Sequence, residues 1–297
     1  PVMFFYHKAT QQANGKPVDI SDFRYDGYTI DREKKPLATL PASYDDLGEA
    51  EHLLITLYDK QYDLTLEMHY YVYAADNVIT KTVKLINSSK ETVKLNRLLS
   101  NQLDLPDSGY KVINFTGAWT REVQRTDTIL TAGKYVNDTY AGVSSNRVNP
   151  FTMLAQPYTT EDYGQCYGFN LVYSGNHYTS FEVNSFGKTR VVSGINPRSF
   201  CFVLSPGEEF EAPEAIMSFS GSGFNALSQN FHRFIKKHIL RGYWKDRERP
   251  ILLNSWEACY FNINEDRLVD LATKAASVGI ELLVMDDGWF GKRNDDT

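Results

Sequence analysis

The chain has 297 residues, of which 42% are hydrophobic and 13% aromatic, and its formal net charge is −6. This length predicts about two structural units, because one domain ordinarily takes roughly 100–200 residues. The acidic charge and the lack of any Lys/Arg block argue against a nucleic-acid-binding protein. No apolar run approaches the roughly 20 residues of a membrane span, which argues against a membrane protein.

The cysteine pattern predicts a reducing compartment. Cys166, Cys201 and Cys259 are odd in number and scattered, so they fit neither a disulfide framework nor a zinc pattern. The opening PVMFFYHKATQQ lacks the charged start, long apolar centre and cleavage site of a signal peptide. We therefore expect a cytoplasmic protein.

The region from about residue 20 to 220 has the pattern of short β-strands. Alternation in LTLEMHYYV sets Thr65, Glu67 and His69 on one face of a strand. The apolar face of the same strand is predicted to carry Leu64, Leu66, Met68, Tyr70 and Val72. Similar runs recur as HLLITLYD, VITKTVKLI, ETVKLNRLL, YGFNLVYS, YTSFEVNSF, TRVVSGI and RSFCFVLS. Many short strands separated by turn clusters predict a large antiparallel β-sandwich.

The pattern then changes to helical spacing. In GFNALSQNFHRFIKKHIL, apolar side chains recur on one helical stripe, which consists of Leu227, Phe231, Phe234, Ile235 and Ile239. Basic residues gather at the C-terminal end of this segment, where they complement the helix dipole. The polar RGYWKDRERP that follows is predicted to be a connector.

The last segment predicts a strand, a helix and a second strand. ILLN is a short apolar strand, and NEDRLVDLATKAASVG is a helix with an Asn at its start and Gly279 as its stop. The inward face of this helix is predicted to carry Leu268, Leu271, Ala272 and Ala275. IELLVM is nearly continuous in hydrophobicity, which predicts a strand buried on both faces. Such a βαβ unit implies parallel pairing.

This βαβ unit is too short to form a domain by itself. An eight-fold barrel needs roughly 250 residues, and far fewer follow Pro250. An open doubly wound sheet would also need more strands. We therefore expect the chain to be a fragment that begins at a cut end and stops inside a domain.

Both predicted strand ends carry side chains suited to binding a ligand. The first continues into NSWEACYF, with Trp256 and Glu257, and the second into DDGW, with Asp286 and Asp287. In parallel α/β folds, ligands bind beyond the carboxyl ends of the strands. Carboxylates accept hydrogen bonds from sugar hydroxyls, and an indole stacks on the C–H face of a sugar. The sequence therefore predicts a carbohydrate site without a metal.

Other interpretations of these residues stay open. Asp287-Gly288 is a common turn pair, and Asp286 is suited to capping the next segment. Trp289 is equally suited to packing at a rim, and Glu257 to an ion pair. Two hard carboxylates are also compatible with magnesium. They do not suit the catalytic pair of a retaining glycosidase, about 5–5.5 Å apart across one bond, because adjacent strand residues point to opposite faces.

The sequence resembles a known family over nearly its whole length. RPILLNSWEACYFNINEDRLVDLATKAASVGIELLVMDDGWFGKRNDD closely resembles the first strands of the catalytic barrel of glycoside hydrolase family 36, the microbial α-galactosidases. LPASYDD, LDLPD, GAWTRE, SSNRVNPF, YGFNLVYSGN and GINPRSF resemble, in order, that family's N-terminal motifs. Two departures are SSNR at residues 144–147, where family members often have Ser-Ser-His-Gln, and Cys259, where Thr is frequent.

The resemblance implies a mainly β fold with three parts. Residues 1–222 would form a β-supersandwich domain, and residues 223–249 a linker helix and connector. Residues 250–297 would form the truncated first βαβ of a (β/α)8 TIM barrel. The resemblance also implies a homo-oligomer, a tetramer as the full-length protein.

The resemblance further implies a retaining α-galactosidase that acts on melibiose, raffinose and stachyose without a cofactor. Trp256, Asp286 and Asp287 would bind galactose. The family's nucleophile lies in a Lys-Trp-Asp motif, which is not in this sequence, so we expect no catalytic acid in residues 1–297 and no activity of this chain alone. The alternatives are α-N-acetylgalactosaminidase activity, galactosyl transfer, or a non-catalytic carbohydrate-binding sandwich, which would have no reason to carry the βαβ start.

Overall fold

The structure is a computed structural model that describes residues 3–7 and 21–292. The chain divides into two compact units, Pro1–Ile239 and Leu240–Thr297. The finer domain bounds given above stay a prediction. Among the described residues, no helix combines the length and the apolar character needed to cross a membrane.

The first unit consists mainly of strands and ends in one long helix. Its strands are β1 (Met3–His7), β2 (Arg24–Asp31), β3 (Glu51–Asp59), β4 (Leu64–Tyr73), β5 (Val78–Asn87), β6 (Val93–Leu105), β7 (Lys111–Ala118), β8 (Arg121–Ile129), β9 (Gly133–Asp138), β10 (Val148–Ala155), β11 (Cys166–Leu171), β12 (His177–Val183), β13 (Thr189–Ile195), β14 (Phe202–Leu204), β15 (Glu209–Glu211) and β16 (Ala215–Ser220). A 3₁₀ turn, Ala74–Asp76, separates β4 from β5. Helix α1 spans Gly223–His238.

These strands form two antiparallel sheets. In the described part of the chain, the larger sheet has ten strands in the order β2-β3-β4-β5-β16-β11-β10-β7-β8, with β15 paired to β5. The smaller sheet has six strands in the order β1-β6-β13-β12-β9, with β14 paired to β6. Side chains from both sheets share buried clusters: Leu85 of β5 packs with Leu95 of β6, and Val112 of β7 with Phe181 of β12. The two sheets therefore face each other across a common core, as the sequence predicts for a sandwich.

Helix α1 covers the other face of the larger sheet. The predicted stripe is confirmed, because Leu227, Phe231 and Phe234 are buried in one cluster with strand residues, and Ile235 and Ile239 pack against its edge. The helix approaches so closely that a Cβ at Gly168 would collide with the Phe231 ring. A glycine at that point of β11 therefore sets the spacing between helix and sheet.

Strand β4 contributes to both of these cores, which corrects one prediction. Leu64, Leu66 and Met68 are buried as predicted. The prediction that this face stays buried is wrong beyond Met68. Tyr70 is only half-buried and Val72 is 37% exposed, whereas Tyr71 and Tyr73 on the opposite face are buried. The first half of the strand faces the smaller sheet, with Leu64 and Leu66 in the inter-sheet cluster. The second half faces the core beneath α1.

The second unit contains the predicted βαβ pattern. Strand β17 (Leu252–Asn254) pairs in parallel with β18 (Leu282–Val284), and helices α2 (Trp256–Cys259) and α3 (Glu265–Ser277) lie between them in sequence. Asn264 caps α3 by accepting from the Arg267 N–H at 3.0 Å, and Gly279 follows the helix at φ +89°, which confirms both predicted helix signals. The connector at residues 241–250 contains neither helix nor strand, as predicted.

The predicted burial of the last strand on both faces is not found. Leu282 is 40% exposed and Met285 46% exposed. In the described residues this sheet has only two strands. In the part of the chain that the structure describes, each of these two strands therefore has one uncovered edge.

Candidate functional site

The carboxyl ends of β17 and β18 lie at the same edge of the parallel sheet. The register pairs Asn254 with Val284, so the residues after each strand emerge side by side. Ser255 donates its N–H to the Val284 carbonyl at 2.9 Å, which continues the pairing one step beyond β17. This edge brings Trp256 and the Asp286-Asp287 pair into one unit of the chain, as the sequence predicts.

Asp286 is held by three hydrogen bonds at this edge. Its Oδ2 accepts from the Asn254 side-chain amide at 2.6 Å, and its Oδ1 accepts from the Asp287 N–H at 2.8 Å. Its own N–H donates to the hydroxyl of the buried Ser255 at 3.1 Å. Both the backbone and the carboxylate of Asp286 are therefore fixed before any ligand binds.

Asp287 is held differently. Its carboxylate accepts no hydrogen bond from the described residues, and the side chain is half-buried. Gly288 follows at φ +100°, and a Cβ there would lie 2.8 Å from Cδ1 of Ile263. This turn requires glycine, and it leaves the oxygens of Asp287 available to accept hydrogen bonds from a ligand.

Trp256 is positioned by the same asparagine that holds Asp286. The Asn254 Oδ1 accepts from the Trp256 N–H at 2.7 Å. The half-buried indole packs edge-to-face against Phe261, with ring centroids 4.9 Å apart, and against Tyr260 at 5.3 Å. Aromatic neighbours on two sides restrict the rotation of the indole.

Two other residues of the predicted motifs, Glu257 and Trp289, are exposed and have fewer contacts that fix their side chains. Glu257 is exposed and accepts from the Tyr260 hydroxyl at 3.2 Å, so it is a local contact of α2. Trp289 is 69% exposed and contacts the Phe290 ring at a centroid distance of 5.6 Å.

Sequence reasoning did not single out Asn254 and Ser255. Both lie in the NSWEACYF motif at the end of the first apolar strand. Their position at a strand end was the signal that could have identified them. The site thus consists of an indole and one constrained carboxylate, both oriented by Asn254, with a second carboxylate beside them. Such a set can accept hydrogen bonds from hydroxyls and offer an aromatic surface to a sugar ring.

Known families match both units of the chain. Residues 7–205 match the Glycosyl hydrolase family 36 N-terminal domain, and residues 209–297 match the Melibiase family. The first match covers well over half of the sequence, and it confirms the family that the sequence motifs predict. The chain belongs to glycosyl hydrolase family 36.

Similar proteins are named α-galactosidases. The chain is 43% identical to α-galactosidase AgaA of Geobacillus stearothermophilus over 96% of this chain and 39% of that protein. It is 40% identical to α-galactosidase Mel36A of Lactobacillus acidophilus over 99% of this chain and 40% of that protein. A crystal structure of an AgaA variant in complex with raffinose has a TM-score of 0.93 at 41% identity, covering 99% of this chain and 40% of that one. The chain thus spans about 40% of the length of these relatives.

Proposed function

We propose that the protein expressed from its complete coding sequence is a retaining α-galactosidase that needs no cofactor. Its substrates would be melibiose, raffinose and stachyose. The observation that carries the proposal is the constrained carboxylate edge after β17 and β18, in a chain that belongs to family 36. The names of the relatives and the raffinose complex of the AgaA variant support this substrate class.

In this proposal, Trp256, Asp286 and Asp287 bind the terminal galactose. Asp287 accepts from sugar hydroxyls with both oxygens, and Asp286 uses the lone pairs that Asn254 and the Asp287 N–H leave free. Trp256 provides the stacking wall. A glucoside, whose 4-OH is equatorial, leaves one carboxylate oxygen unpaired. The cost of roughly 1–3 kcal/mol corresponds to about fivefold to 150-fold discrimination.

The βαβ unit serves, in the same proposal, as the start of a (β/α)8 barrel. Active sites of such barrels are built at the carboxyl ends of the strands, which is where Trp256 and the two aspartates lie. Their adjacent positions suit substrate binding better than the acid and nucleophile roles, which require carboxylates about 5–5.5 Å apart across the scissile bond. We therefore assign both catalytic acids to residues outside 1–297, and expect this chain alone to be inactive.

We also propose a homo-oligomer, a tetramer for the complete protein. Strand β2 is the first strand of the larger sheet, and it exposes Tyr28 at 62% and Ile30 at 70% of their surfaces. An exposed edge with large apolar side chains favours pairing with another protein surface. Light scattering coupled to size-exclusion chromatography measures the oligomeric state, and a monomer at micromolar concentration would contradict this part.

We place the protein in the cytoplasm. The three cysteines are all free thiols, and Cys201 is exposed. Exposed free thiols are compatible with a reducing compartment. Fractionation of the source cells tests this assignment, and recovery of the protein outside the cytoplasm would contradict it.

The substrate role of the carboxylate edge is tested by Asp287→Asn in the complete protein. This change removes one negative charge and keeps the shape, so we expect kcat/KM for raffinose to fall about tenfold to hundredfold through lost charged hydrogen bonds. Asp270→Asn is the matched control, because Asp270 lies in α3 on an exposed helix surface and, among the described residues, forms an ion pair with Lys274 alone. Equal activity of both variants would contradict the assignment.

A further inference from the structure

The first unit contains a second cluster of titratable side chains, made of Glu49, Asp76 and His238. Glu49 lies just before β3, Asp76 ends the 3₁₀ turn between β4 and β5, and His238 is the last residue of α1. One ligand-type atom from each of the three lies within 4.8 Å of the others. The cluster thus joins the end of the helix to the loops of the larger sheet.

The ring of His238 directs one nitrogen at two carboxylates. Its Nδ1 lies 2.9 Å from the Tyr44 carbonyl, and a carbonyl can only accept, so the Nδ1 carries the hydrogen. In the neutral ring, the Nε2 lone pair then faces Oδ2 of Asp76 at 3.3 Å and Oε2 of Glu49 at 3.5 Å. Electron-rich atoms this close repel one another, and positive charge beside or among them, from an ammonium group or a metal ion, relieves the repulsion.

Burial strengthens this repulsion. The side chains of His238 and Asp76 are 1% and 0% exposed, so water screens their charges little. Neither Nε2 of His238 nor Oδ1 of Asp76 makes a well-directed hydrogen bond with any residue that the structure describes. The ring of His238 is fixed by aromatic contacts, with centroid distances of 4.5 Å to Tyr73 and 5.3 Å to Phe234. The lone pair cannot turn away without disrupting this packing.

Two of the three distances between ligand atoms fit a small divalent ion, and the third, between the carboxylates of Asp76 and Glu49, is at most 4.8 Å. Zinc binds nitrogen and oxygen ligands at about 2.0–2.2 Å in tetrahedral geometry, which sets neighbouring ligand atoms about 3.3–3.6 Å apart. The two distances from Nε2 of His238, 3.3 and 3.5 Å, fall within this interval. Donation of the other ring N–H to a backbone carbonyl, here that of Tyr44, is the usual support of a histidine that binds a metal.

An ammonium group lies beside the same carboxylates. The Nζ of Lys237 donates to Oδ2 of Asp76 at 3.4 Å and lies 3.3 Å from its Oδ1 and 3.6 Å from Oε2 of Glu49. Arg233 is more distant, with its Nε 3.7 Å from Oδ1 of Asp76. The Lys237 side chain is 36% exposed, so it can extend into water. A bound metal and the Lys237 ammonium therefore compete for the negative charge of Asp76 and Glu49.

We propose that Glu49, Asp76 and His238 bind a divalent transition metal of the zinc type, with water completing the coordination. Such an ion would fasten the end of α1 to the larger sheet, because its ligands come from the helix and from two loops of the sheet. The three residues are far apart in the sequence, and so no local spacing reveals the site; only folding brings them together.

The test is zinc binding to the metal-free full chain by isothermal titration calorimetry. We expect one Zn²⁺ per chain, removed by EDTA, and a higher melting temperature with the metal bound. Mg²⁺ is the comparison ion, because it prefers octahedral oxygen sites, and we expect no binding at the same concentration. Failure of the metal-free chain to bind Zn²⁺ would overturn the proposal and leave the ion pairs of Lys237 with Asp76 and Glu49 as the role of the cluster.

Variants decide whether zinc binds at this cluster. Glu49→Gln changes a partly exposed ligand, so the fold is retained, and we expect the affinity for Zn²⁺ to fall at least tenfold. Lys237→Met removes the competing charge and should raise the affinity for Zn²⁺ roughly tenfold. Lys236→Met, on the exposed side of the same helix, should leave that affinity unchanged. Zinc binding that neither Glu49→Gln nor Lys237→Met alters would overturn the assignment.

Discussion

The side-chain amide of Asn254 donates to Oδ2 of Asp286 over 2.6 Å, and this bond ties together the ends of two parallel strands. The Oδ1 of the same side chain accepts the N–H of Trp256. One residue therefore orients both the indole and one carboxylate of the proposed galactose site, and the proposal depends strongly on it.

Replacement of Asn254 by Ala should impair substrate binding more than folding. A hydrogen bond to a charged group contributes about 1.5–3 kcal/mol, so we expect kcat/KM for raffinose of the complete protein to fall roughly tenfold to hundredfold. Asn262→Ala is the control, since that side chain is exposed and makes no hydrogen bond with the described residues. Steady-state kinetics measure the effect, and unchanged kinetics of Asn254→Ala would show that Asp286 needs no such support.

Gly288→Ala should disturb the turn that presents Asp287. Gly288 and Gly291 both have positive φ, but only at Gly288 would a Cβ meet a neighbour, Cδ1 of Ile263 at 2.8 Å. Backbone strain of about 1 kcal/mol is common to both substitutions, whereas displacement of the loop is specific to Gly288. We expect a loss of raffinose hydrolysis in Gly288→Ala but not in the control variant Gly291→Ala. Equal losses in both variants would contradict the proposed contact.

Asn264→Ala should destabilise the second unit. The Asn264 side chain accepts the Arg267 N–H at the start of α3, and loss of such a cap costs about 0.5–2 kcal/mol. Hydrogen exchange of the α3 amides should become correspondingly faster. Asn264→Ser keeps an oxygen at the cap and should restore most of the protection, and the cap argument fails if serine behaves like alanine.

Acid should weaken the first unit through His177. Burial lowers the pKa of His177, whose Nε2 donates to the Val148 carbonyl at 3.0 Å while the Nδ1 has no hydrogen-bond partner among the described residues. His177 therefore binds a proton more readily in the unfolded chain than in the folded one. The contribution of neutral His177 to the free energy of unfolding is complete above about pH 6.5, the ordinary pKa of histidine, and is lost as the pH falls towards the pKa in the folded state. In this window the free energy of unfolding can fall by as much as about 1.4 kcal/mol per pH unit.

Urea unfolding between pH 7.5 and 5 measures this slope. His177→Gln should flatten it even where the variant is less stable overall. The substitution His232→Gln, at an exposed position of α1, controls for the removal of a histidine. A slope that His177→Gln leaves unchanged would contradict the prediction.

Local patterns predicted those elements whose environment is uniform along their length. Helix α1 meets one core along its whole stripe, and α3 carries its own cap and stop residues, so periodicity and end signals sufficed for both. Strand β4 shows the limit. Its alternation from Leu64 to Val72 predicts one buried face, but the strand passes from the core between the sheets to the core beneath α1. A face change of this kind depends on what covers each side of the sheet.

The site was predictable to the same extent. Trp256, Asp286 and Asp287 follow apolar strands directly, and parallel pairing brings strand ends together, so the edge could be inferred. The role of Asn254 depends on a cross-strand hydrogen bond that no spacing encodes. The cluster of Glu49, Asp76 and His238 depends on contacts between the helix end and two loops, which only tertiary structure brings together.

The most direct test of the account is the release of galactose from raffinose by the complete protein, followed by proton NMR. We predict that galactose and sucrose form, that galactose appears first as the α-anomer, and that the corresponding α-glucoside is hydrolysed at least about fivefold more slowly. Absence of galactose release from raffinose, melibiose and stachyose would contradict the proposed function. Initial release of the β-anomer would contradict the retaining mechanism.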